Sequence, residues 1–307
     1  MRNSLRPVDD SHLPVVDVAL DDRPIGMFDS GFGGLSVARA LIDLAPREHL
    51  IYVGDTGRYP YGPRPLSEVR SYAAQIGRFL VDEHDVKMVV VACNTAAASG
   101  LDALRRLLPV PVIGVIDPGV RSVAKATRNR RVGVIGTVGT ISSGAYQRAI
   151  AALPVPLELS CAACPGFVEF VERGDTLSDQ VVVLAERLLA PVRDAGIDTL
   201  LLGCTHYPFL ARTIADAVGR GVVLVSSADE TAFDVRATLE AEHLGRTGAG
   251  TGSARFYSSG DVDWFRRVGS RLFGAELGDV GPVWWSVPEP VADEGPDDSG
   301  TQMTVTR

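Results

Sequence analysis

Two cysteines in near-matching settings are the residues best placed to do chemistry: Cys93 in KMVVVACNTAAA and Cys204 in DTLLLGCTHYP. Each ends a short apolar run and is followed by a small polar pair, Asn94-Thr95 in the first and Thr205-His206 in the second. A thiol titrates near pH 8.5 and is moved by neighbouring charge, so a positioned cysteine can serve as an acid or a base. Two of them delivered to one cleft could work on a substrate from opposite faces. A lone cysteine at a strand end is ordinarily a small buried hydrophobe; two in parallel contexts shift the weight toward chemistry.

The elements that would carry these thiols follow from the pattern. An apolar run of this length leading into small polar residues and a helical period reads as a buried parallel strand, whose carboxyl end is the edge where open α/β sheets hold ligands. Strands are predicted over residues 25–28, 50–54, 88–93, 112–116, 132–136, 157–161, 199–204 and 222–225. Helices are predicted over 35–44, 66–81, 96–107, 146–153, 178–194 and 209–218. This alternation implies parallel βαβ units in an α/β fold. Residues 25–28 run into DSGFGG and residues 132–136 into TVGT, so each half repeats a strand, a small-residue turn and a helix. Two similar doubly wound lobes with a cleft between them would bring Cys93 and Cys204 together.

Three turns between these elements are rich in polar groups. In Asp29-Ser30-Gly31-Phe32-Gly33-Gly34 the glycines allow tight backbone geometry and the next helix start offers free N–H groups, a setting that suits a carboxylate. An ordinary glycine-rich strand-to-helix turn would look the same. GDTGRYPYGPRP, with Asp55, Thr56, Arg58 and Tyr61, is a Pro/Gly-stiffened loop of the kind that presents side chains to a pocket. The hydroxyls and backbone of Thr137-Val138-Gly139-Thr140 could hold a second carboxylate. Either loop could also be only a connection.

Composition narrows the class. The 307 residues suit one large or two modest domains, and 46% hydrophobic with 22% charged residues is ordinary for a globular protein. A net charge of −8 argues against a nucleic-acid surface spread over the molecule, though a local basic patch stays open. No apolar run is long enough to cross a bilayer and the N-terminal stretch lacks a secretory apolar region, so a cytoplasmic protein with no membrane contact is expected. Four cysteines, Cys93, Cys161, Cys164 and Cys204, are too few to staple a chain of this size and would persist as thiols.

Other chemistries fit poorly. Only Lys87 and Lys125 are lysines; the first begins a strand and the second lies in the charge run KATRNRR, so neither is placed for a pyridoxal-phosphate Schiff base. Cys161-Ala162-Ala163-Cys164 has metal spacing but no second pair or nearby histidine, so no metal is expected. Of five histidines only His206 stands beside a candidate group. Neither dinucleotide nor P-loop fingerprints occur, which disfavours nucleotide binding at the Asp29 turn.

Taken together, FDSGFGG, YVGDTGRYPYG, VVACNTA, GVIGTVGTI and LLGCTHYP, in this order, resemble the glutamate racemases of the aspartate/glutamate racemase family. The resemblance covers roughly residues 24–273, and five linked motifs are far more specific than one. It implies cofactor-independent interconversion of L- and D-glutamate, supplying D-glutamate for peptidoglycan, by two acid/base thiols, Cys93 and Cys204. It further implies substrate contacts from Asp29, Ser30, Tyr61, Gly62, Asn94, Thr95, Thr137, Thr140, Glu172, Thr205 and His206, with Asp29, His206 and Asp55 tuning the thiols. Aspartate racemases typically carry an acidic residue where this chain has His206 and lack the DSGxGG opening, so glutamate is the expected substrate. Racemisation of aspartate, or a carboxylate-binding protein without turnover, is the alternative.

The same resemblance implies a homodimer, and some relatives inhibit DNA gyrase. It implies a discontinuous first lobe from residues 24–117 and 228–287 and a second from 118–227. Residues 1–23 form an extension and 288–307 an acidic tail expected to be disordered. The segment 245–252, GRTGAGTG, reads as a flexible linker before an aromatic stretch whose residues 261–273 match the family's last helix.

Overall fold

The computed structural model describes residues 21–274 and 277–287. The expectations for residues 1–20 and 288–307 lie outside the described residues. Strands run in the order β1 Ile25–Asp29, β2 Leu50–Gly54, β3 Met88–Val91, β4 Val112–Gly114, β5 Arg131–Gly136, β6 Glu158–Ala163, β7 Thr199–Gly203, β8 Val223–Ser226, β9 Ala254–Ser258 and β10 Val280–Pro282. The helices are α1 Leu35–Leu44, α2 Leu66–His84, α3 Asn94–Leu107, α4 Ile116–Ala126, α5 Val138–Ser142, α6 Ala145–Ala151, α7 Phe167–Arg173, α8 Asp179–Asp194, α9 Ala211–Val218, α10 Ala228–Ala241 and α11 Val262–Phe273.

The strands form two parallel sheets, one ordered β10-β9-β2-β1-β3-β4 and the other β6-β5-β7-β8. Leaving aside β9 and β10, each sheet has its first strand between the second and third, with the fourth outermost, so the duplication read from the turns holds in the topology. The central strands β1, β2, β3 and β7 are buried along their whole length. That is what near-continuous Val/Leu/Ile runs require when helices cover both faces. The first sheet draws on two distant stretches of chain: β9 pairs with β2 in the register Leu50 with Ala254 through Gly54 with Ser258.

Several boundaries differ from the sequence expectation. The cysteine strands stop at Val91 and Gly203 rather than running through the thiols, because each chain must turn before the next helix or turn starts. The strand expected over 112–116 ends at Gly114, since α4 takes Ile116 into its first turn. Helices α4, α5, α7 and α10 have no counterpart in the expected set. The stretch beyond residue 253 contributes two strands as well as the expected helix. Those strands are short, and β9 pairs with β2, far away in sequence, while β10 joins the sheet only through β9, so no local period announces them. The 245–252 segment has no regular structure, yet Arg246 ties it to Glu48 by a backbone N–H at 2.8 Å and to Asp22 by its guanidinium at 3.0 Å.

The aromatic face of α11 packs on the glycine-rich turn after β1. Phe32 stacks on Phe265 at 5.2 Å and meets Trp264 edge-on at 4.8 Å. Gly54 has no room for a Cβ, which would lie 2.7 Å from the Gly31 carbonyl and against the Phe265 ring. The DSGFGG turn is therefore clamped between β2 and α11.

Lys87, one of the two lysines, sits at the amino end of β3, away from the carboxyl edge. Its buried ammonium pairs with Glu48 at 2.6 Å and donates to the Asp21 carbonyl at 2.9 Å. Replacing it with Met leaves the Glu48 carboxylate buried with only the Arg246 N–H as partner among the described residues. Lys87→Met is expected to lower unfolding free energy by about 3 kcal/mol, read as a shift in urea midpoint at unchanged slope.

Candidate functional site

Cys93 follows β3 and is the N-cap of α3; its sulfur accepts from the Ala96 N–H at 3.4 Å. Cys204 follows β7 and begins a tight turn in which its carbonyl accepts from Tyr207 N at 3.0 Å. Both are free thiols. They open into one cavity of about 100 Å³ at the facing carboxyl edges of the two sheets. Ser30, Tyr61, Gly62, Asn94, Thr95, Thr137, Thr205 and His206 line the same cavity. Among its described lining residues there is no Arg or Lys, so a bound carboxylate must be met by hydroxyls, amides and the imidazole.

Asp29, Thr140 and Glu172 stand one layer behind. Asp29 ends β1 with no exposed surface; its carboxylate accepts from Gly31 N at 2.9 Å and from the Thr205 hydroxyl at 3.2 Å. Thr140 closes a triangle of hydroxyls with Thr95 at 3.1 Å and Thr137 at 2.9 Å, and Thr95 and Thr137 are themselves 2.9 Å apart. Glu172 holds the far side of His206, Oε1 to Nε2 at 3.2 Å, while the near nitrogen Nδ1 lies 3.9 Å from the Cys204 sulfur. Asp55, expected among the thiol-tuning residues, bonds to neither thiol. It accepts from the Tyr61 hydroxyl, from Arg58 Nε at 2.7 Å and from Trp285 Nε1 at 2.6 Å.

The backbone makes this closeness possible. A Cβ on Gly33 would collide with the Thr205 hydroxyl and the His206 ring, and one on Gly62 would lie 2.9 Å from Thr137 Cβ. Gly139 N donates to the Gly62 carbonyl at 2.9 Å, joining the two lobes directly. Glycine is needed at Gly33 and Gly62 for approach rather than for a left-handed backbone.

Tyr59, Val168 and Glu169 also line the cavity and carry no signal that spacing alone reveals, and Cys164, noted only for its spacing to Cys161, joins them. Within CPGFVEFVERG the family resemblance points only to Glu172. Tyr146 is a further residue that the sequence does not single out. Its hydroxyl donates to Asn94 Oδ1 at 2.5 Å, and Asn94 Nδ2 is buried with no partner among the described residues. A fixed amide with a free N–H at a cavity wall is a donor waiting for an acceptor.

The two thiols have different electrostatic surroundings. Burial, then the Asp29 charge, pushes the Cys93 thiol up to about 12, against the Ala96 N–H and the Ser30 hydroxyl, which favour the thiolate. At His206 burial acts to lower the pKa, but hydrogen bonds to Cys204 and Glu172 and the Cys204 and Asp29 charges outweigh it and raise the imidazole to about 10. That raised value favours the imidazolium form of the ring. Asp29 itself is raised by burial, partly offset by His206 and by hydrogen bonds from Gly31, Gly34 and Thr205. Cys93 thus lies beside Asp29 and Cys204 beside His206. Such a pair can take a proton at one face of a carbon acid and give one at the other.

Known proteins share this chain's sequence and fold. Residues 25–233 match the Asp/Glu/Hydantoin racemase family. The chain is 53% identical over 273 residues to a glutamate racemase of Beutenbergia cavernae, covering 85% of this chain and 93% of that one. It is similar to the crystal structure of a glutamate racemase from Bacillus anthracis, with 39% identity, a TM-score of 0.81 and coverage of 87% of this chain and 99% of the other. A Francisella tularensis glutamate racemase crystallised with D-glutamate matches with 34% identity, a TM-score of 0.80 and coverage of 86% and 98%.

A thiol raised to about 12 has about one thiolate in 10⁵ at pH 7. Because the folded value is raised, thiolate is scarce at low pH and grows with hydroxide. Alkylation of Cys93 by iodoacetamide, followed by mass spectrometry of its peptide, should therefore climb about tenfold per pH unit from 7 to 10. A plateau below pH 9 would contradict this assignment.

Proposed function

The chain belongs to the Asp/Glu/hydantoin racemase family, and from that premise we infer that its cavity interconverts L- and D-glutamate by acid/base chemistry at Cys93 and Cys204. The observation that carries this reading is that two thiols, one from each half of a duplicated topology, open into a single cavity. The proton on Cα beside a carboxylate is very weakly acidic. The reaction therefore needs a base close to the carbon, an acid on the other face and dipoles aimed at the charge that develops between them.

In one direction a thiolate takes the Cα proton while the opposite thiol donates its own, so the bond to hydrogen breaks on one face and forms on the other. The thiols exchange protonation states, and the reverse direction begins from the state the forward one leaves. Before substrate binds, burial and the Asp29 charge favour the proton on Cys93. The His206 imidazolium, oriented by Glu172, stands against negative charge at Cys204. Asn94 Nδ2, the Thr95 and Thr137 hydroxyls and the Ser30 side chain supply polar contacts for the substrate's carboxylates, with Thr140 steadying the threonines from behind. Tyr61 and Gly62 shape the remaining wall. The D-glutamate so made serves peptidoglycan assembly in this reading, in a cytoplasm that keeps both thiols reduced.

Proton NMR in D2O with L-glutamate and no added cofactor should show D-glutamate carrying deuterium at Cα, while residual L-glutamate keeps its proton early in the reaction. Aspartate should remain unexchanged. Cys93→Ala and Cys204→Ala should each lower kcat by about 10²–10⁴-fold, the usual worth of a positioned acid or base. Full activity in either variant would end the two-thiol reading. Absence of exchange with both enantiomers would remove glutamate as substrate.

A further inference from the structure

The loop carrying Tyr61 and Gly62 into the cavity is anchored at its base by one buried carboxylate. Asp55 has no exposed surface and accepts from four side chains: Arg58 Nε at 2.7 Å, Tyr61 OH, Ser259 Oγ at 2.5 Å and Trp285 Nε1 at 2.6 Å. Two of these donors, Ser259 and Trp285, come from the far end of the chain, 204 and 230 residues away. They share one oxygen, Oδ1, and Arg58 and Tyr61 share the other. The carboxylate is thus fully committed and its plane is fixed by donors from both sides.

Trp285 does more than donate. Its ring lies 5.0 Å from the Arg58 guanidinium, which also sits 4.2 Å over Tyr72, so the cation is held by two rings. Arg58 Nη2 has no hydrogen-bond partner among the described residues, consistent with facing those rings. Arg58 Nη1 bonds Gln75 at 2.7 Å, and Gln75 in turn donates to the Ser286 carbonyl at 3.0 Å. Phe79 meets the Trp285 ring edge-on at 5.4 Å. The segment following β10 is therefore laced to the loop base through Asp55, Arg58 and Gln75.

We propose that Trp285 is a positioning residue for substrate binding: through Asp55 it fixes Tyr61 and Gly62, the part of the cavity wall that the first lobe presents to Thr137. The proposal rests on the glutamate racemase reading above. Trp285, Asp55 and Arg58 make no hydrogen bond to either thiol. Cys93 is set by β3 and α3, and Cys204 by β7 and the turn after it, with no part in this network. Loosening the loop should accordingly weaken binding while leaving proton transfer intact, so the effect belongs in KM. A residue serving stability alone would lower the melting temperature and leave KM unchanged.

The test is steady-state kinetics with L-glutamate on Trp285→Phe, which keeps an aromatic ring against Arg58 and Phe79 and removes only the N–H donor. Ser259→Ala serves as a second variant that strips the other donor from the same oxygen. A hydrogen bond to a carboxylate is worth a factor of about ten or more, so KM should rise about tenfold in W285F, with kcat within about twofold of wild type. S259A should shift KM in the same direction. Wild-type KM in folded W285F, or a loss of kcat at constant KM, would overturn the proposal. If W285F does not fold, an unchanged KM in S259A overturns it. Failure of the wild-type chain to racemise glutamate would instead remove the reading on which it rests.

Discussion

The hydrogen bond from Thr205 to Asp29, 3.2 Å across the gap between the two sheets, marks the approach on which the whole site depends. Asp29 terminates the central strand of the larger sheet, and Thr205 follows Cys204 at the edge of the smaller one. Their contact is possible only because Gly33 has no side chain where Thr205 and His206 pack. A second crossing, Gly139 N to the Gly62 carbonyl, pins the opposite wall. Between these two ties lies the cavity with both thiols in it. Interiors pack too densely for such an approach to absorb an extra methyl group without displacing something, and here the displaced groups would be His206 and Thr137.

That approach also explains how two chemically identical groups are made different. A cysteine behind each sheet edge would see the same environment if the duplication were perfect. The residues at the carboxyl ends of β1 and β7 break the equivalence. The first strand contributes a carboxylate that burial and charge set against thiolate formation at Cys93. The turn after β7 contributes His206, whose pKa is raised against burial by its hydrogen bonds with Cys204 and, on the far side of the ring, with Glu172. Pairs of titratable groups pushed apart by their surroundings are how one site carries both an acid and a base at neutral pH. Asp29 and His206 also act on each other, so the asymmetry is a property of the assembled cleft rather than of either lobe.

The supporting layer is built from parts of the chain with no obvious kinship. Tyr146 from α6 orients Asn94 at the start of α3. Arg271 from α11 donates to the Glu172 carbonyl at 2.8 Å, so this helix reaches the segment that holds His206. Ser259, just past β9, and the residues after β10 close on Asp55. Orientation of contact groups by neighbours that never meet the substrate is what allows a cavity lined with short polar side chains to hold a defined geometry.

The α/β class and the parallel strands are legible in the amino-acid sequence, which also marks Cys93 and Cys204 as the candidate thiols. Buried Val and Leu runs ending in Cys and small polar residues have a local signature that periodicity reads directly. It also singled out the motif residues Asp29, Asn94, Thr95, Thr137, Thr205 and His206, each adjacent to a strand end. That Asp29, Thr140 and Glu172 stand behind the wall, that Tyr59, Cys164 and Glu169 form part of it, and that Asp55 accepts from Tyr61 emerges only from the packing. The strands β9 and β10 and the contact from Trp285 were equally beyond local reading. The physical reason is the same throughout. Which side chain faces a cavity, and which donor a buried carboxylate finds 230 residues away, depend on how sheets and helices pack against one another. That packing leaves no mark in the spacing of neighbouring residues.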